Sequence, residues 1–327
     1  MDLTSSGALR RGLCAVAVVA TLPYLTLKLL WLCGSTVGFT GEADLSIDAD
    51  ALWVANLVTF GMDAVALLLA LAFVRPWGRR VPVGLLVFPM WVATGLLGSI
   101  VLELPLIFGA QLVLGDEPPA AQQGWLDPWV FVLVYGGFVL QGLALIAGFV
   151  LHARERWAVL LGSRIGDLPR TATLRLQQVL SCVAAGLALP VAAAKLYWAL
   201  GGDSGLPLSF ADGPQRPQRI IAGVTAVLLL AAGAAFLRLA FRLGPDRPLR
   251  PTLLTAWLAA GSVFAWGAWT LFADGLRTEL PSAADAVPPA ASLVSVGQAG
   301  AGLLLLVVGA VALLEHASVR ADVESAG

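Results

Sequence analysis

Read only for apolar and polar positions, the chain breaks into eight long apolar runs. They fall roughly at residues 13–33, 51–74, 83–108, 128–151, 179–200, 220–243, 253–272 and 291–314. Each reaches the roughly 20 residues that a helix needs to cross about 30 Å of hydrocarbon. The pattern predicts an all-α fold: a polytopic membrane protein with eight transmembrane helices. Pro105 is expected to kink or end the third helix, because proline removes a backbone donor and crowds the preceding turn. The first run follows MDLTSSGALRRG, whose Arg10 and Arg11 look like the charged start of a signal peptide. The run is too long for such a peptide and no small-residue cleavage pattern follows, so it reads as an uncleaved first helix.

The polar segments between the runs alternate in sign. The first connection is acidic, with Glu42, Asp44, Asp48 and Asp50, and the second, RPWGRRVP, is basic. The fourth, HARERWAVLLGSRIGDLPRTATLRLQQ, carries five arginines and one apolar patch suited to a short interfacial helix. Counted along the chain, 15 of the 18 arginines lie at the N-terminus, after runs 2, 4 and 6, and in the tail. The other side has only Arg216, Arg219 and Arg277, against twelve carboxylates. Cationic loops stay in the cytoplasm, so both termini are expected to be cytoplasmic, in a plasma membrane. An even number of crossings requires the same.

Composition agrees with this picture. The chain is 58% hydrophobic and 13% charged, and its net charge of −1 conceals the asymmetry. Arginine outnumbers lysine 18 to 2, which with abundant Ala, Leu and Gly fits a GC-rich bacterial genome. Cys14, Cys33 and Cys182 lie within apolar runs at no regular spacing, so neither a disulfide framework nor a metal site is indicated.

One stretch is written twice. LPYLTLKLLWLCGSTVG ends at Gly38, and LPVAAAKLYWALGGDSG ends at Gly205. Pro23, Lys28, Leu29, Trp31, Gly34 and Gly38 recur at one offset as Pro190, Lys195, Leu196, Trp198, Gly201 and Gly205. Three further pairs follow in the same order, at offsets drifting between 164 and 168. Leu71-Ala72-Phe73 matches Leu239-Ala240-Phe241, Trp91-x-x-x-Gly95 matches Trp257-x-x-x-Gly261, and His152-Ala-x-x-Arg156 matches His316-Ala-x-x-Arg320. The layout expected is two parallel four-helix repeats, residues 1–157 and 176–327, joined by a basic cytoplasmic linker at 158–175. Repeats of four crossings keep one orientation and are related by an axis along the membrane normal.

The doubled segment, Lys28-Leu-Leu-Trp31-Leu-Cys-Gly34 and Lys195-Leu-Tyr-Trp198-Ala-Leu-Gly201, resembles the first helix of small uncharacterised bacterial integral membrane proteins of four helices. Those carry a basic residue followed by L-x-W-x-x-G. The resemblance covers about 16 residues per half and implies a tandem duplication of such a protein. It implies no activity.

Lys28 and Lys195 are the only lysines, and each lies inside an apolar run where a charge is costly. Lys28 is about 8 Å below the end of its helix at 1.5 Å per residue. It could snorkel outward along its apolar stem. The competing reading has both lysines facing a cavity, where a compact ammonium meets a carboxylate or an anionic ligand. Trp31 and Trp198 lie one turn further on the same faces, either as interfacial anchors or as cavity walls offering a cation–π contact. Asp63 falls near the midplane of the second helix, about 18 Å from its end, and must face the bundle. By the repeat alignment its counterpart is Ala231, so the halves are not equivalent. Glu103 sits at about the depth of Lys28, and an internal Lys28–Glu103 pair is the simplest structural expectation.

His152 and His316 complement the negative ends of their helices and are too few for a metal or haem centre. No Walker loop, HExxH or GxSxG is present, so neither catalytic residues nor a cofactor is expected, and the chain does not read as an enzyme. The arginines are explained by topology, which leaves no nucleic-acid surface. The partners expected are the lipid bilayer and a small ligand or a membrane protein. The leading reading is non-catalytic binding or transport of a small anionic or amphipathic molecule through an outward-facing cavity, with Lys28, Trp31, Lys195, Trp198, Asp63 and Glu103 as site residues. The alternative is a structural or regulatory membrane subunit with internal Lys–carboxylate pairs and a protein partner.

Overall fold

The structure, a computed structural model, describes residues 3–40, 49–115, 126–170, 172–206, 215–277 and 287–326. The loop acids Glu42, Asp44 and Asp48, and the side chains of His316 and Arg320, lie outside the described residues. Eight long helices carry the fold: α1 (Leu3–Leu32), α2 (Ala49–Ala72), α3 (Val83–Leu114), α4 (Pro128–Arg156), α5 (Leu174–Ala199), α6 (Gln215–Ala240), α7 (Leu249–Arg277) and α8 (Pro289–Ala326). All eight contain a segment long and apolar enough to cross a bilayer. The chain is a polytopic, all-α integral membrane protein.

Each expected helix is found, but several run further than their apolar runs. α1 starts at Leu3, so Arg10 and Arg11 are helical; α3 passes through both Pro89 and Pro105 to Leu114; α8 continues to Ala326. Hydropathy registers only where a helix is in lipid, and its backbone hydrogen bonds continue beyond that slab. At Pro105 one missing donor is not enough to end a helix held by its neighbours. The basic linker holds a five-residue helix, Ala158–Gly162, and then docks on the α6–α7 turn. Ile165 N–H bonds Arg247 O at 3.0 Å, Gly166 N–H bonds Pro245 O at 2.9 Å, and Leu249 N–H bonds Ser163 O at 3.0 Å.

The helices pack as two sets of four with the same pattern of neighbours. α1 lies against α2 and α4, and α3 against α2 and α4; likewise α5 lies against α6 and α8, and α7 against α6 and α8. The sets meet mainly through α3 and α7. There Gly95 and Gly261 let two backbones touch, since a methyl group on Gly95 would collide with the Gly261 carbonyl and one on Gly261 with the Trp91 carbonyl. Ser99 Oγ donates to Ser262 Oγ at 2.8 Å, Ser262 Oγ to Gly95 O at 2.9 Å, and Trp257 Nε1 to Thr94 Oγ1 at 2.8 Å. Small residues at such a crossing gain close van der Waals contact and interhelical hydrogen bonds, the main sources of helix association in lipid.

Candidate functional site

The doubled motif folds into the same turn twice. α1 and α5 both end in a Schellman-type cap. Ser35 N–H bonds Leu30 O at 2.9 Å, and Gly202 N–H bonds Tyr197 O at 2.9 Å. Gly34 and Gly201 take the left-handed φ of 86° and 104° that this cap needs, and Gly38 and Gly205 repeat it at 84° and 82°. Both tryptophans close the turn: Trp31 Nε1 donates to Val37 O at 2.8 Å and Trp198 Nε1 to Ser204 O at 3.1 Å. In both copies, tryptophan and the two glycines are therefore accounted for by local structure.

The lysines are not equivalent. Lys28 is buried, 6% exposed, and its Nζ donates to Asn56 Oδ1 of α2 at 2.7 Å. The amine also lies 4.8 Å from the centre of the Tyr24 ring and 5.1 Å from that of Trp31, so aromatic faces supply part of its solvation. Asp63, one α2 face with Asn56 seven residues on, is 7% exposed and close enough to act electrostatically on Lys28. Gln141 of α4, 2% exposed, faces Asp63, yet its Nε2 makes no hydrogen bond of sound geometry. The expected Lys28–Glu103 pair is absent. Glu103 of α3 is buried further across the bundle, beside Tyr135 of α4. Asn56 of α2 satisfies the ammonium instead.

Lys195, in the second set of helices, is partly exposed. Its Nζ lies 5.4 Å over the Trp198 ring and interacts electrostatically with Asp274, near the end of α7. The six residues singled out in the sequence thus separate. Lys28, Trp31 and Asp63 come together, Glu103 joins them only through Tyr135, and Lys195 and Trp198 stand apart in the other bundle.

Four members of the first cluster were not picked out by the sequence reading: Tyr24, Asn56, Tyr135 and Gln141. The signal was present, since each is a polar group inside an apolar run, and Tyr24 and Lys28 are spaced four apart on one helical face. The repeat spacing shows how uneven the halves are. The counterparts of Tyr24, Asn56, Asp63, Glu103, Tyr135 and Gln141 are Val191, Val224, Ala231, Trp269, Ala299 and Leu305. The second bundle has an apolar cluster there, including Ala188, Val191, Ala192, Ala226, Leu229 and Val263. Its buried Gln298 is satisfied by Val263 O at 3.3 Å.

Among the described residues no three His, Cys, Asp or Glu side chains group as a metal ion would require. Chemically, the first bundle offers a fixed ammonium, two buried amides and two carboxyls inside apolar walls. Fold and burial define the class as a multi-pass membrane protein with a polar cluster enclosed in one of two four-helix bundles. No protein-family model, curated protein or solved structure matches the chain.

Proposed function

We propose that the protein binds or moves a small anionic or amphipathic molecule, and that its site is the polar cluster of the first bundle rather than a cavity shared by the two lysines. Lys28 supplies positive charge, Gln141 an amide, Asp63 an asymmetric polar contact, and Tyr24 and Trp31 the walls. The observation that carries this reading is a buried ammonium, Lys28, held by the amide of Asn56 and not by a carboxylate, with the buried side chains of Asp63 and Gln141 close by. Ionisable groups in an apolar interior are costly, and in membrane helices they mark sites that handle ligands or ions. The mirrored neighbour pattern of the two sets of helices supports an ancestral duplication. In that history the second bundle kept the turn and the lysine and lost the rest of the cluster, becoming a scaffold. The arginine distribution supports cytoplasmic termini in a plasma membrane.

A structural or regulatory subunit is the second reading. It is favoured by the Lys28–Asn56 bond, which already satisfies the amine, and by the purely local role of both tryptophans. Small molecules co-purifying with the protein, identified by mass spectrometry, separate the two. Binding predicts a specific molecule retained by wild type and by Lys195→Met but lost from Lys28→Met at equal membrane abundance. Identical profiles for all three, or failure of Lys28→Met alone to accumulate, would favour the structural subunit.

A further inference from the structure

We infer that the basic linker and the α6–α7 turn together form a docking site for the phosphate headgroup of an anionic phospholipid, in the leaflet on the arginine-rich side. The inference stands apart from the polar cluster of the first bundle and from the function proposed for it. Its basis is a set of six arginines that the fold gathers: Arg164 and Arg170 of the linker, and Arg238, Arg242, Arg247 and Arg250 around the turn. The linker pairs with the turn through three backbone hydrogen bonds, with Arg164 opposite Pro248. Arg242 adds a side-chain tie. Its guanidinium donates to Leu239 O at the open end of α6, and through Nη2 to Pro169 O at 2.9 Å, beside Arg170. Arg250 Nε donates to Leu161 O of the short linker helix. On the turn itself, Arg247 and Arg238 flank Gly244, where an added methyl group would lie 3.3 Å from Arg247 Cδ and 3.6 Å from Arg238 Nη2.

Hydrogen bonds to carbonyls leave each guanidinium its full charge, and like charges held together repel. The carboxylates nearby do not cancel it. Asp167 Oδ2 accepts the backbone N–H of Arg164 at 2.7 Å, and Glu315 accepts from Thr173 N–H and Gln177 Nε2. Asp246 stands out in solvent, 4.0 Å from Arg164. Six guanidinium groups against these three leave an excess of positive charge. Arg242 is also the one non-glycine residue with a left-handed φ, 54°, among the described residues. It closes α6 at the position that Gly34 and Gly201 fill in α1 and α5, since Leu243 N–H bonds Arg238 O at 3.0 Å. That backbone region is costly for a side chain, and such strain collects where the side chain is used.

Topology asks for arginines on this side of the membrane but not for their convergence on a docked linker. The occupant follows from depth and from the apolar neighbours. The spanning segments end at Ala240 and resume at Leu249, so Arg242 and Arg247 stand at headgroup level. Phe241 and Leu243, on either side of Arg242, are exposed, as is Val159 of the linker helix. Guanidinium groups interleaved with exposed apolar side chains suit a bilayer surface. Arginine forks pair with phosphate oxygens two at a time, and basic pockets at the ends of spanning helices take anionic headgroups. A free phosphate would leave the apolar groups without a partner. Bound there, the headgroup would fasten the linker, and with it the connection between the two bundles, to the second bundle.

The test places the whole chain in detergent micelles with equal amounts of phosphatidylglycerol and phosphatidylcholine, and reads the retained lipid by native mass spectrometry. Wild type should retain phosphatidylglycerol severalfold over phosphatidylcholine. Arg242→Gln with Arg247→Gln should bring that ratio close to one. Arg75→Gln with Arg80→Gln, on the same side but outside the site, should leave it unchanged. Phosphatidylglycerol should also raise the thermal midpoint of wild type and of this control, but not of the first variant. If Arg242→Gln does not fold, Arg238→Gln with Arg247→Gln decides the matter, since Arg247 holds the linker through its backbone carbonyl. A ratio untouched by the substitutions, or lowered equally by both pairs, would overturn the site. Displacement of the lipid by inorganic phosphate at constant ionic strength would overturn the lipid as its occupant.

Discussion

At the scale of single residues, what distinguishes the two lysines is a neighbour. Both are ammonium groups one helical turn before a tryptophan, and the sequence shows them as a matched pair. Asn56 on the next helix bonds one of them, while Val224 stands at the matching place for the other. Which side chain of α2 reaches Lys28 depends on how α1 and α2 are rotated against each other, which an apolar run does not encode. Removing one partner of a buried, charged hydrogen bond costs the full desolvation of the other, roughly 1–3 kcal/mol and more for an ion. Asn56→Leu should therefore lower the thermal midpoint in detergent clearly more than Lys195→Met does. Adding Lys28→Met to Asn56→Leu should recover part of the loss, because the orphaned ammonium goes with it. Additive losses in that double variant would contradict the assignment of Asn56 as the partner.

At the scale of elements, the repeated motif is a helix ending. Three of its six recurring positions, Trp31, Gly34 and Gly38 with their counterparts, make the closing turn, and the other three lie in the helix leading into it. The repetition was legible in the sequence, but its meaning was not, because a left-handed glycine and an indole bonded to a loop carbonyl look alike in sequence whether they serve a turn or a cavity. A left-handed φ costs an L-residue about 1–2 kcal/mol. Gly34→Ala should lose about that much stability, since its methyl group meets nothing within 4 Å. Gly38→Ala should lose more, because its methyl group also strikes Val130 of α4. Trp31→Phe should cost about 1 kcal/mol for the lost hydrogen bond. The existence and order of the eight helices followed from hydropathy alone, while their ends did not, as α3 shows by continuing through Pro105. The α3–α7 crossing has its own check. With the native cysteines removed, Ser99→Cys and Ser262→Cys should cross-link readily on oxidation in membranes, whereas Ser99→Cys with Ser181→Cys should not. Ser181 is a buried residue of α5, a helix that does not pack against α3.

At the scale of the whole molecule, the two bundles share a plan and differ in content. One encloses charged and hydroxyl groups, and the other fills the matching space with alanine, valine and leucine. The difference is one of cost: charged and hydroxyl groups are expensive to bury in lipid, and an apolar core is not. The crossing between the bundles is backbone against backbone and carries its own hydrogen bonds. Such a contact favours the two moving as one body, so a ligand would enter within the first bundle and not between the halves. Orientation gives a direct prediction. A membrane-impermeant thiol reagent should reach Thr36→Cys and Ser204→Cys in intact cells and Arg156→Cys only after lysis, because an arginine-rich side favours the cytoplasm. The reverse pattern would invert the topology.

The central claim is that the chemistry of this protein resides in the first bundle, around Lys28. An experimental map of the protein in a lipid bilayer tests it most directly. The account predicts non-protein density in contact with Lys28 Nζ and Gln141, with apolar packing at Val191, Ala231 and Leu305. Density held by Lys195 instead, or a first bundle closed around Lys28 and Asn56 with no guest molecule, would contradict it.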